Sequence, residues 1–107
     1  MKKLCVLLLL TVSLFANAKE YIFSPKDVPA MKQLLGSGNL QPGDAVVLKD
    51  GAYHNLEEIH FTGKGVSGKP IVWRVENPGK AVISGKLRLK IYGEYLQLED
   101  LLFYKAW

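Results

Sequence analysis

Three hydrophobic patterns divide the chain. The first is a continuous apolar run, Leu4 to Phe15, broken only by Thr11 and Ser13. The second places Val28, Met31, Leu34 and Leu35 at helical spacing. The third begins after Asn39 and consists of short β-branched runs separated by Gly, Pro, Asn and Asp.

The first run reads as a targeting segment. Lys2 and Lys3 precede it, and Ala16-Asn17-Ala18 follows with the small-x-small spacing of a cleavage site. A signal-peptide helix over residues 1–18 is expected, with export to the periplasm or beyond. The run falls short of the roughly 20 apolar residues that span a bilayer, so no stable membrane anchor is expected after cleavage.

Residues 19–40 are expected to form a short strand (19–23) and one amphipathic helix (roughly 26–36). Ser24 is placed as its N-cap, Pro25 suits a first turn, and Gly36-Ser37-Gly38-Asn39 ends it. From 41 to 107 about eight short strands are expected for the mature chain as a whole, counting the first. They cover 45–48, 56–61, 71–75, 81–84, 87–91, 95–98 and 101–104. Turns fall at Gln41-Pro42-Gly43-Asp44, Lys49-Asp50-Gly51 and Asn77-Pro78-Gly79. Asp50-Gly51 is the one strong hairpin signal.

Strands open near Ala45, Ile71 and Tyr95, at spacings of 26 and 24 residues. A period in the twenties with several strands per unit is the signature of a β-helix, although a β-sandwich also shows short strands at regular spacing. The solenoid is the fold expected here: all-β, a right-handed parallel β-helix whose first coil is capped by the short helix. In residues 86–91, Leu87, Leu89 and Ile91 are expected to face inward, with Lys86, Arg88 and Lys90 facing solvent.

Composition narrows function more than it defines it. Of 107 residues 49% are hydrophobic, which argues against disorder. Loss of Lys2 and Lys3 with the leader would lower the formal charge from +4 to +2, so nothing points to nucleic acid. The single cysteine, Cys5, lies in the leader, which leaves no disulfide framework and no thiolate metal site.

Several constellations carry candidate chemistry. Gly63 to Lys69 has phosphate-loop spacing, but Pro70 replaces the hydroxyl residue and a strand follows, so a corner between coils is the better account. Lys86, Arg88 and Lys90 would stand about 7 Å apart on one strand face, from a rise of ~3.3 Å per residue. They are the weak candidates for holding an acidic polymer, against a plain solvated face. His54 and His60 flank Glu57-Glu58, but His54 is expected in a turn and no third ligand is suggested. No metal residue is assigned. Adjacent acids (Glu57-Glu58, Glu99-Asp100) point to opposite faces of a strand. Trp73, Tyr92, Tyr95, Tyr104 and Trp107 are able to stack on sugars, with core packing the expected role of Trp73.

The stretch Gln41 to Tyr104 resembles polysaccharide lyase family six, the chondroitinase-B-like group that includes alginate lyases. The resemblance is carried by Gln41-Pro42-Gly43-Asp44, Val46 to Tyr53, Gly63-Lys64-Gly65, Lys69-Pro70-Ile71, Asn77 to Gly85, Gly93-Glu94-Tyr95-Leu96 and Glu99 to Phe103. It implies β-elimination on a uronate-containing polysaccharide, with alginate the first candidate and chondroitin or dermatan sulfate the second. It implies Ca²⁺ neutralising the uronate carboxylate in the complete enzyme, a lysine base and an assisting arginine. None of those residues has a matching position here, so no catalytic residue is assigned. The expectation is the N-terminal cap and first coils of an exported lyase, inactive alone. A non-catalytic carbohydrate-binding or surface β-helix, and a gene remnant, are the other classes.

Overall fold

The computed structural model describes residues 18–107. The leader helix expected over residues 1–18 lies, apart from Ala18, outside the described residues.

Among the described residues, nine strands, one 3-10 turn and one α-helix follow each other. They are β1 (Glu20–Phe23), the 3-10 turn (Pro25–Asp27), α1 (Val28–Ser37), β2 (Ala45–Leu48), β3 (Gly51–His54), β4 (Glu57–Lys64), β5 (Ile71–Val75), β6 (Ala81–Gly85), β7 (Leu87–Glu94), β8 (Leu96–Leu98) and β9 (Leu102–Ala106). Every pairing between these strands is parallel. The strands sort into three sheets, β1-β2-β5-β8, β3-β6-β9 and β4-β7. Successive strands go to successive sheets, so each turn of chain stacks on the one before. This is a parallel β-helix.

The opening turn explains the helix. It supplies β1 to the first sheet and then switches to helical structure. The 3-10 turn lies against β3 and α1 lies against β4, in the places where strands of the other two sheets would stand. Met31 and Leu35 are fully buried there. Ser24 N–H and Oγ both donate to the Asp27 carboxylate, at 3.1 and 2.9 Å, which fixes the entry to the helical segment. Gly38, left-handed at φ 75°, ends α1.

β3 was absent from the sequence expectation, and the reason is instructive. Asp50-Gly51 reads as a hairpin turn, but no strand returns antiparallel beside β2. Gly51 instead begins a new strand, with φ 145°, and its N–H reaches Lys80 O at 2.9 Å in the next coil. A Cβ at Gly51 would lie 2.6 Å from Pro25 Cγ. The glycine therefore serves a corner and a close approach of the 3-10 turn. His54 consequently ends β3 and is not in a turn.

The interior is a set of stacked rungs. Val46 pairs in register with Trp73, and Trp73 with Leu98. Tyr53 is followed by Ile83 and Phe103, and Phe61 by Ile91. Trp73 meets Phe61 edge-on at 6.2 Å. The repeat is uneven: Glu20 to Ala45 advances 25 positions, Ala45 to Val72 27, Gly51 to Ala81 30 and Val82 to Leu102 20. The Asn77-Pro78-Gly79 corner lies within residues 76–80, which lengthen the second full coil. Leu87 and Leu89 pack on the core as expected. Ile91 does not; it is 50% exposed, farther along the same outermost strand, beyond which no described strand is stacked.

Candidate functional site

The outer face of the β4-β7 sheet gathers most of the polar chemistry that sequence analysis singled out. The register sets Glu58 beside Arg88, His60 beside Lys90 and Thr62 beside Tyr92. Alternation along each strand turns these six outward and Ile59, Phe61, Leu87 and Leu89 inward.

Glu58 organises the face. Its carboxylate lies 2.6 Å from His60 Nε2, 3.7 Å from Lys90 Nζ and 3.9 Å from Arg88 Nη1. The hydrogen bond from His60, and then the positive charge of Lys90, hold its acidity constant below the ordinary glutamate range. The row of Lys86, Arg88 and Lys90 is therefore not three equivalent cations. Two of them are tied to an acidic neighbour on the adjacent strand. Sequence analysis set Glu57-Glu58 between His54 and His60 without assigning them a site, and missed this role. The signal was present in the spacing, since Glu58 and His60 are two apart on a strand and share a face.

Open cavities flank this face. One, of about 480 Å³, is lined by Glu57, Glu58, Lys86, Leu87, Arg88 and Trp107. The other, of about 540 Å³, includes Gln41, Thr62, Lys64 and Tyr92. Trp107 is 71% exposed and Tyr92 52% exposed, and Tyr92 sits 5.9 Å from the His60 ring. Aromatic faces beside cationic groups are the surface chemistry that a chain of acidic sugars would meet.

The remaining candidates are separated. His54 bonds Ser84 Oγ at 3.0 Å on a different sheet from His60. The corner Gly63–Lys69 closes with a short antiparallel bridge between Val66 and Lys69 and runs into β5, so no helix N-terminus is there. Trp73 is fully buried, as expected, with its Nε1–H lacking a hydrogen-bond partner among the described residues. The Tyr53 hydroxyl donates to Lys49 O at 2.7 Å, and burial pushes its acidity constant up to about 12. It is a structural tether and not a base. Among the described residues no three His, Asp or Glu side chains gather as metal ligands. The Ca²⁺ implied by the family resemblance finds no matching donor set in residues 18–107, and no reaction step is assigned through it. Among those residues no helix is long and apolar enough to cross a membrane.

A stacked parallel solenoid with a helical first-coil cap defines a protein of the parallel β-helix class. The family model for chondroitinase B matches residues 30–106. The chain belongs to that family, the polysaccharide lyase family six group. A solved structure described as a mannuronic acid specific polysaccharide family 6 lyase from human gut microbiota is 94% identical, with a TM-score of 0.82, over 83% of this chain and 20% of that one. The family 6 alginate lyase AlyGC is 27% identical, TM-score 0.66, over 82% of this chain and 11% of that one. The family 6 lyase Pedsa3628 from Pseudopedobacter saltans is 25% identical, TM-score 0.64, over 84% and 19%. The chain thus spans a fifth or less of the length of these structures. Among curated proteins no match was found.

Proposed function

We propose that this chain forms the N-terminal cap and opening coils of an exported lyase that cleaves mannuronate-rich alginate by β-elimination. The observation that carries this reading is the 94% identity to the mannuronic-acid-specific lyase, spread over most of the chain. In this reading the proton-abstracting base, the assisting arginine and the Ca²⁺ site belong to coils outside residues 18–107. The role of these residues is to close the solenoid's first coil and to offer rungs on which a further coil stacks. The outer β4-β7 face, with Arg88, Lys90 and Tyr92, is compatible with an acidic polysaccharide lying nearby.

The test is a hybrid enzyme. Residues 19–107 replace the corresponding coils of the 94% identical lyase, and unsaturated-uronate absorbance is followed on polymannuronate, polyguluronate and dermatan sulfate. Turnover with preference for polymannuronate is the expected result. A folded hybrid that is inactive, or that prefers dermatan sulfate, overturns the reading. The chain by itself is expected to give no turnover. Clear product from the isolated chain would place the chemistry within these residues after all.

A further inference from the structure

The inference concerns Asp44 and rests on the export reading above. Asp44 is an ionisable side chain 2% exposed, on the turn before β2. Its Oδ2 accepts the Gln41 N–H at 2.8 Å, which closes its own turn. Its Oδ1 accepts the backbone N–H of Lys19 at 2.9 Å, across 25 residues of chain. Both donors are neutral amides, whereas a buried carboxylate gains most from a charged partner.

Lys19 is also the residue that follows the small-x-small motif Ala16-Asn17-Ala18. Hydrolysis of the Ala18–Lys19 amide adds water across that bond. It leaves a carboxylate on Ala18 and an amine on Lys19, protonated at neutral pH. We infer that Asp44 is the receptor carboxylate for the α-ammonium created at Lys19 when the leader is removed, so that processing turns a neutral hydrogen bond into a buried-edge ion pair. The nitrogen is already in place. Its own residue is held on the other side, because Lys19 O accepts the Ala45 N–H at 2.8 Å. Asp44 is anchored in turn, with Val72 N–H on its carbonyl at 3.0 Å.

Ala18 and Lys19 are exposed, and Ala18 lies beside the Gly43 turn. Ala18 Cβ lies 3.3 Å from where a Cβ on Gly43 would stand. The other charged residues on the elements meeting here are Lys19 itself and Glu20 on β1, and Lys69 at the corner against Gly43. Glu20 is engaged with Arg74. Because pairing favours the ammonium, the amine's acidity constant rises above the ~7.7–8.0 of a free chain end. The amine's contribution is lost as pH rises through its folded value.

The experiment uses the full chain expressed with its own leader. The exported product is recovered and its first residue read by mass spectrometry. The folded product is then acylated at pH 7 with limiting acetic anhydride, and the α-amine's rate is compared with the internal lysines in the same molecule. Expected is a start at Lys19 and an α-amine at least ten-fold slower than in Asp44→Asn. A second variant, with Ala-Ala inserted before Lys19, keeps the test sharp where Asp44→Asn folds poorly; its displaced amine should react at the free rate. A start at Lys19 with no slowing relative to these variants overturns this inference alone. A start elsewhere overturns the export reading's cleavage point and this inference with it.

Discussion

The two ends of the stack are built from the same kinds of side chain and treat them oppositely. At the opening end, Met31 and Leu35 of α1 close over the first full coil and are fully buried, as are Val46, Phe61 and Trp73 within the stack. At the far end, the rungs that continue those same columns stand open: Leu98 above Trp73 is 37% exposed, and Phe103 above Ile83 is 42% exposed. Hydrophobicity alone does not decide burial here. What decides it is whether a neighbour on both sides of the column removes water, which is the nearest-neighbour energetics of a stacked repeat.

The sharpest way to break that comparison is a matched pair of truncations. Leu35→Ala removes a fully buried side chain from the cap and should cost about 2–5 kcal/mol. Leu98→Ala removes the same atoms from an open rung and should cost under about 1 kcal/mol, as for a partly solvated site. Urea unfolding midpoints on the two variants check this. Equal costs would mean that the far end is as well covered as the cap. In the hybrid lyase, with a coil stacked on β8, the Leu98→Ala cost should climb toward the Leu35→Ala value.

A second comparison lies inside the buried column. Trp73 is fully buried yet its Nε1–H finds no partner among the described residues. Such a donor costs on the order of 1–3 kcal/mol. Trp73→Phe forfeits ring volume but removes that orphan, so the two effects oppose each other. The net change should stay within about 1.5 kcal/mol, well below a truncation at the same depth. A thermal midpoint that falls as far as that of Leu35→Ala would show that shape, and not the stranded N–H, dominates this rung.

These contrasts also explain which parts of the molecule were legible in the sequence. Alternation and β-branched runs located eight of the nine strands, because a half-buried strand writes its period directly into the residue order. The helix at 28–37 was legible for the same reason, and the family resemblance was carried by the corner motifs. β3 was not legible. Gly51-Ala52-Tyr53-His54 contains a single inward apolar residue, Tyr53, and opens on a dipeptide that ordinarily makes hairpins. Only the parallel neighbour β6 reveals it as a strand. The exposed position of Ile91 was hidden because strand period tells which face a residue occupies and not whether a further layer covers it. Glu58's hold on Lys90 and Arg88 depends on cross-strand register 30 residues away, and no local pattern encodes that.

The smallest expected effect tests the cap at its entry. The Asp27 carboxylate accepts the Ser24 N–H and hydroxyl, and these bonds, with the charges of Lys26 and Lys49, hold its acidity constant below the usual aspartate value. A depressed folded value means that the stabilisation is present above the unfolded value of ~3.9 and is lost as pH falls through the folded one. Acid should therefore loosen the 3-10 turn before it disturbs the buried rungs. Because that turn carries Pro25 against Gly51, the Gly51 amide is the reporter, and its hydrogen exchange should gain an acid-driven component in the wild type that Asp27→Asn lacks. Glu58 also has a lowered value, from His60, and lies on a different sheet from Gly51, so Glu58→Gln serves as the control. Retention of the acid component at Gly51 in Asp27→Asn, or its loss in Glu58→Gln, would assign acid sensitivity to the β4-β7 face and remove the cap's entry as the weak point of the finished end.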